Sequence, residues 1–270
     1  SRIVPNLPSW NKQRGMPRAF FQRMGEGGWY GLKFKDGQIA AESTLMEALI
    51  AEELAMVSPG VAIAALAHVD LGLTGLFLFG SRDHHQNYGP AVTQGASIMC
   101  LGNTENLAGS DVAGISMSAE KVDGGWILNG TKAYVTNGDV ADLGVITAVS
   151  DPRAVRNSRL SMYLVDLNQQ GVRRTKLNKQ VWIPSDLTRL KFNNVFVAED
   201  HLLGVQGRGL QQVLEIFTRS RVPIAALTLG GAAGAFNLAV NHMRKRNIFG
   251  RPITEFQAKA FEAADFYAKI

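Results

Sequence analysis

The groups in this sequence most able to do chemistry are hydroxyls set among glycines and one cationic turn. The segment from Leu101 to Ala113, LGNTENLAGSDVA, follows a short apolar strand and is rich in hydroxyls, small residues and glycine. Such a loop lets backbone N–H groups and side-chain hydroxyls come close to a polar ligand. A plain turn has the same composition. The segment from Trp126 to Gly138, WILNGTKAYVTNG, reads as a β-hairpin. There Tyr134 would pack on one side of a planar heterocycle and Thr136 would hydrogen-bond its edge; a cross-strand pair on a sheet surface is the alternative. The segment from Arg246 to Gln257, RNIFGRPITEFQ, sets a cation, a tight Gly turn, a Pro at a helix start and a Gln in order. An ordinary connection between two helices reads the same way.

Other chemistries lack their residues. No G-x-G-x-x-G follows a strand and no G-x-x-x-x-G-K-[ST] occurs, so Rossmann and P-loop phosphate sites are unsupported. No G-x-S-x-G elbow is present for an acyl hydrolase. The five histidines, His68, His84, His85, His201 and His242, show no H-E-x-x-H spacing, and Cys100 is the single cysteine, so no metal site is expected. His84-His85 is expected on a solvated connection. A net charge of +5 over 270 residues, without a long basic run, suits anionic small molecules better than nucleic acid. The lone cysteine points to a reducing compartment. The longest apolar stretch, Val61 to Phe79, is broken by His68, Asp70, Gly72 and Gly75 and reads as a buried helix, not a membrane span.

The elements that must position these groups follow from periodicity. The first ninety-odd residues read as helical: Thr44 and Glu47 have capping-box spacing, Ser58-Pro59 looks like an N-cap followed by Pro at N1, and Gly89-Pro90 closes the region. From about Ala96 the apolar runs shorten and alternate between turn dipeptides. Strands are predicted at Ile115-Val122, Trp126-Leu128, Thr131-Thr136, Leu143-Val149, Leu160-Asp166, Leu187-Phe192 and Val195-Val197, with turns at Asn129-Gly130 and Asn137-Gly138. After Gly207 the helical period returns in Leu210, Val213, Leu214 and Phe217. Pro223 predicts a kink or break, Gly230, Gly231 and Gly234 suit close helix–helix approach, and a last helix runs from near Pro252 to Ile270. That helix shows no C-cap signal, which leads us to expect that a longer chain has been cut. The expected fold is α+β: an N-terminal helical domain (1–95), a central antiparallel β-domain of barrel or sandwich type (96–207) and the start of a C-terminal helical bundle (208–270).

Taken together and in this order, the three segments resemble the acyl-CoA dehydrogenase family. That family's loop T-E-x-x-A-G-S-D is matched from Thr104 to Asp111, its hairpin N-G-x-K-x-x-I/V-T-N-G from Asn129 to Gly138, and its turn R-x-x-F-G-x-P-I-x-x-F-Q from Arg246 to Gln257. The resemblance implies bound FAD and removal of one hydrogen from each of the α and β carbons of an acyl-CoA, the protein orienting and tuning a cofactor that performs the redox step. It implies that Leu101, Asn103, Thr104, Gly109 and Ser110 line the flavin, with Tyr134, Val135 and Thr136 on the hairpin side. The Thr104 and Thr136 hydroxyls would serve the isoalloxazine edge. Ser110, Thr218 and Arg221 would meet the CoA moiety, and Arg246, Phe249 and Gln257 would contact the FAD of a neighbouring copy in a homodimer or homotetramer.

This sequence departs from the family where Tyr134 replaces a frequent Trp, where Thr218 replaces an acidic residue, and where Leu101 and Asn106-Leu107 replace Tyr and Pro-Gly. No catalytic base is recognisable. Ser220 occupies the nearest matching helix position and Glu215 is out of phase, so the base is expected beyond residue 270 and the 270-residue chain alone is expected not to be competent. The implied electron acceptor is an electron-transfer flavoprotein or similar, and the implied location a bacterial cytoplasm or mitochondrial matrix. Alternatives are an acyl-CoA oxidase, an acyl-ACP dehydrogenase, or a non-catalytic flavin-binding protein of the same fold.

Overall fold

A computed structural model describes residues 3–35, 38–39 and 43–270. Its helices are α1 (Leu7–Gln13), α2 (Arg18–Glu26), α3 (Ser43–Val57), α4 (Pro59–Leu66), α5 (Thr74–Phe79), α6 (Arg82–Thr93), α7 (Gly209–Lys245) and α8 (Gln257–Lys269). Its strands are β1 (Phe34–Lys35), β2 (Gln38–Ile39), β3 (Met99–Gly102), β4 (Ser118–Val122), β5 (Gly125–Thr136), β6 (Leu143–Val149), β7 (Leu160–Asp166), β8 (Val172–Lys176), β9 (Leu187–Ala198), β10 (Leu202–Leu203), β11 (Asn247–Ile248) and β12 (Arg251–Pro252). The order is helices, then sheet, then helices, which is the α+β class expected.

The N-terminal helices differ from the sequence reading at their ends. Thr44 lies inside α3, and the Glu47 carboxylate, instead of closing a capping box, accepts a 2.9 Å bond from Lys33 Nζ. Ser58 is extended ahead of Pro59, but its side chain makes no cap bond. Gly89 and Pro90 sit within α6. His84 is 4% exposed rather than solvated, because it completes a capping box with Ser81 at the start of that helix. Residues 67–73 join α4 to α5 as a π-helical turn, which carries His68 and Asp70 into the core. Among the described residues, Pro59–Phe79 and α7 are long and apolar enough to cross a membrane; 78% of the most apolar window of the first is buried in the molecule, against 28% for α7.

The sheet runs β10-β7-β6-β4-β5-β9-β8, with β3 paired to β6. Most neighbours are antiparallel, but β6 runs parallel to β3, from Met99↔Leu143 to Gly102↔Ile146, and to β4 at Ser118↔Val149, so the sheet is mixed and not purely antiparallel. All four residues of β3 are buried, as expected for a strand covered on both faces. Asn129-Gly130 does not turn. β5 runs through it and pairs with β9 along its length, where the chain slips by one residue at Asn194 (φ 53°). The predicted break between Phe192 and Val195 is this bulge within one strand.

α7 passes through Pro223 without interruption. Its glycines press on α3: a Cβ on Gly230 would lie 2.2 Å from the Glu52 carbonyl oxygen, and one on Gly234 2.1 Å from that of Met56. The two helices therefore touch backbone to backbone, as the glycine spacing suggested. Past α7 the chain forms the two-residue hairpin β11–β12, so the last helix starts at Gln257 and not near Pro252.

Candidate functional site

The segment after β3 is laid alongside β5. The Ala133 N–H donates to the Thr104 carbonyl at 2.8 Å. Lys132, fully buried, donates from Nζ to the Asn103 carbonyl at 3.0 Å and to Glu105 Oε1 at 2.9 Å. Its stem passes Gly102, where a Cβ would lie 3.4 Å from Lys132 Cγ and 2.6 Å from Ile146 Cδ1. The Asn103 side-chain oxygen accepts from the Thr147 hydroxyl of β6 at 2.8 Å. Glu105 is anchored in turn by the Ser116 N–H (2.8 Å) and hydroxyl (2.7 Å) and by the Met117 N–H (2.9 Å). Burial pulls the Lys132 pKa down to about 8, opposed by Glu105. Burial raises that of Glu105, but Lys132 and the donated hydrogen bonds outweigh it and hold the carboxyl below its ordinary value.

β5 presents its end through a second irregularity. Lys132 pairs with Leu190 and Val135 with Thr188, so one extra residue is accommodated between them, and Tyr134 takes a left-handed backbone (φ 61°). Such bulges re-aim side chains; Tyr134 is 55% exposed while Val135 is buried. Beyond Thr136, Asn137 (φ 64°) turns the chain and donates from Nδ2 to the Ala64 carbonyl of α4 at 2.8 Å. The other edge is tied down by His68, whose Nδ1 accepts from the Met99 N–H at 2.9 Å. Burial lowers the His68 pKa to about 4, so the ring is neutral.

The sequence-predicted residues thus fall into three places. Leu101, Asn103 and Thr104 lie in or just beyond β3, and Asn103 and Thr104 bond to Lys132 and Ala133 of β5, just ahead of Tyr134, Val135 and Thr136. The Thr104 and Thr136 side chains, both partly exposed, hydrogen-bond to nothing among the described residues. Gly109 stays near Thr104, a Cβ there falling 3.8 Å from Thr104 Cγ2, whereas Ser110 is exposed. Thr218 and Arg221 are exposed on α7, the former bonded from its hydroxyl to the Leu214 carbonyl at 2.9 Å. Arg246, Phe249 and Gln257 are exposed around the β11–β12 hairpin, and no hydrogen bond or ring contact joins them to the other two groups. Phe249 is 93% exposed at the tip of the turn, in a left-handed conformation (φ 49°). Glu215 is spent in an exposed pair with Arg219 at 3.1 Å.

Glu105 and Lys132 were missed as site residues, although both lie inside the motifs. A signal existed: Leu128, Gly130 and Lys132 share one face of β5 by period two, which turns the lysine inward and demands a buried partner.

Models of the N-terminal, middle and C-terminal domains of acyl-CoA dehydrogenases match residues 1–96, 100–195 and 207–270. Relatives include the short-chain specific acyl-CoA dehydrogenase of Clostridium acetobutylicum (31% identical, covering 100% of this chain and 72% of that protein). Another is the mitochondrial isovaleryl-CoA dehydrogenase of Arabidopsis thaliana (30%, 99% of this chain and 66% of that protein). The solved butyryl-CoA dehydrogenase from Megasphaera elsdenii superposes with a TM-score of 0.93 at 26% identity, over 100% of this chain and 72% of that one. A chain in a structure of the electron transferring flavoprotein of Acidaminococcus fermentans superposes with a TM-score of 0.93 at 30% identity, over 98% of this chain and 70% of that one. The chain spans 66% of the Arabidopsis relative's length and 72% of the Clostridium relative's. Matched from end to end in sequence and in fold, the chain belongs to the acyl-CoA dehydrogenase family.

Proposed function

We propose that this chain supplies the flavin- and thioester-binding parts of an FAD-dependent enzyme that converts an acyl-CoA to its 2-enoyl-CoA. The observation that carries the reading is the pairing of Thr104 and the β5 end through the Ala133–Thr104 hydrogen bond, with two threonine hydroxyls left without partners among the described residues. Hydroxyl donors free at the end of β5 and in the loop bonded to that strand fit the polar rim of an isoalloxazine, and exposed Tyr134 offers a flat apolar surface. Bound there, FAD would supply the hydride acceptor. The chain's part is to hold and orient: Thr104 and Thr136 donate toward the ring edge, where preorganised donors favour developing negative charge, and Val135 backs the strand from the core.

On this reading Leu101, Asn103, Gly109 and Ser110 complete the flavin wall, and Ser110, Thr218 and Arg221 meet the CoA moiety. The separate group Arg246, Phe249 and Gln257 serves the FAD of a second copy, so the working unit is a homo-oligomer. The three parts are 1–95, 96–207 and 208–270. The α-proton base is assigned to no residue of this chain. Electrons pass to an electron-transfer flavoprotein or similar acceptor, in a bacterial cytoplasm or mitochondrial matrix.

The test is FAD titration of the purified protein, followed by flavin absorbance and fluorescence, for wild type, Thr104→Val and Thr136→Val. The expected result is FAD binding by wild type, weakened about tenfold by each substitution, as for loss of one hydrogen bond to a buried partner, with unchanged unfolding midpoints of the apoproteins. Absence of FAD binding by wild type, or equal binding by all three, would remove the reading.

A further inference from the structure

Thr104 owes its place to its neighbours. We propose that Lys132 is a positioning residue for the flavin-facing hydroxyl of Thr104, its buried ammonium clamping the residues on either side. The inference rests on the flavin reading above and adds a role for a residue that meets no ligand.

The geometry is a bracket. Lys132 Nζ donates to the main-chain carbonyl of Asn103 and to the side chain of Glu105, at 3.0 and 2.9 Å. Thr104 lies between these two, and its own carbonyl accepts from the residue after Lys132 at 2.8 Å. Three bonds from two successive residues of β5 thus fix three successive residues of the loop. Each arm is anchored independently: Asn103 through Thr147 on β6, and Glu105 through Ser116 and Met117 ahead of β4. Among the described residues the main-chain bonds of Glu105 and Ala108 are to each other, at 2.9 and 3.2 Å, and Ala108 packs against Ile115 and Leu160. A fully buried ammonium bonded to a carbonyl and a carboxylate is a strong and directional tie, because hydrogen bonds to charged groups are worth roughly twice those between neutral ones. The reduced pKa of Lys132, about 8, makes the clamp loosen at mildly alkaline pH.

The experiment combines FAD titration with amide hydrogen exchange. Lys132→Met alone leaves the Glu105 carboxylate buried without its counter-charge and risks the fold. Lys132→Met/Glu105→Gln removes both charges and keeps the shapes. The double variant is expected to fold, to lose exchange protection at the Ala133 amide in the apoprotein, and to bind FAD about tenfold more weakly. Adding Thr104→Val to it should weaken FAD binding no further, since a misplaced hydroxyl is already lost; a merely structural role would give additive effects. Wild-type affinity for FAD should also fall as pH rises through about 8, and this dependence should vanish in the double variant. Retained Ala133 protection, wild-type FAD affinity in the folded double variant, or additivity with Thr104→Val would each overturn the proposal. A wild type that binds no FAD would sink the flavin reading instead, while loss of Ala133 protection would still support the clamp itself.

Discussion

Replacing Gly230 by alanine sets two effects of opposite sign against each other. In an unpacked helix the change stabilises by roughly 1 kcal/mol, because alanine is the better helix former. In α7 the new Cβ would meet the Glu52 backbone at 2.2 Å (oxygen), 2.8 Å (carbon) and 2.8 Å (Cα). Ordinary contact begins near 3.5 Å for carbon, so α3 and α7 must part by roughly an ångström. None of the clashing atoms belongs to a flexible side chain that can swing away. Overpacking of this kind costs typically 1–3 kcal/mol and occasionally more, so the net expectation is destabilisation by about 1–2 kcal/mol. Gly231 is an internal control one residue on. A Cβ there meets only Pro59 Cγ at 3.0 Å and Cβ at 3.9 Å, so Gly231→Ala should be near neutral. The assay is urea unfolding followed by circular dichroism, comparing midpoints at equal slope. Gly234→Ala should behave like Gly230→Ala, and the pair should cost less than the sum, because the first substitution already separates the helices. A Gly230→Ala protein more stable than wild type by the propensity difference would refute the backbone-to-backbone contact.

Asn137→Ala loses the 2.8 Å bond to the Ala64 carbonyl and must keep a left-handed backbone, so a loss of about 2 kcal/mol is expected in urea unfolding, with Asn137→Gly losing about half of that. Phe249→Asn relieves the left-handed strain of an exposed aromatic, so its thermal midpoint should equal or exceed that of wild type, while FAD affinity of the assembled protein should fall if the tip meets a neighbour's cofactor. His68 is held at a pKa of about 4, below its unfolded value near 6.5, so its contribution is full above pH 6.5 and is lost as pH falls toward 4, amounting to about 3 kcal/mol. Asp70, raised by burial, acts in the opposite sense and masks part of this loss. Asp70→Asn should therefore drop further in thermal midpoint between pH 7 and pH 5 than wild type does; a shallower drop would contradict the assignment.

What the sequence determined by itself was the order of the elements and much of what local periodicity encodes. The β6 and β7 strands, Leu143–Val149 and Leu160–Asp166, stand where alternation put them. The glycine row Gly230, Gly231 and Gly234 announced a close helix contact. The three motif segments announced both the family and the loops that could hold a ligand. What the sequence left open were facts about pairing across distance. Asn129-Gly130 has the composition of a hairpin turn, yet β9 lies along it and turns it into part of a twelve-residue strand. His84 reads as a solvated polar residue until the Ser81 cap folds it inward. The partner of Lys132 lies 27 residues away and cannot be named from its neighbours. Register, burial and charge pairing depend on which surfaces meet, and only the tertiary fold chooses among partners that the local sequence leaves equally acceptable.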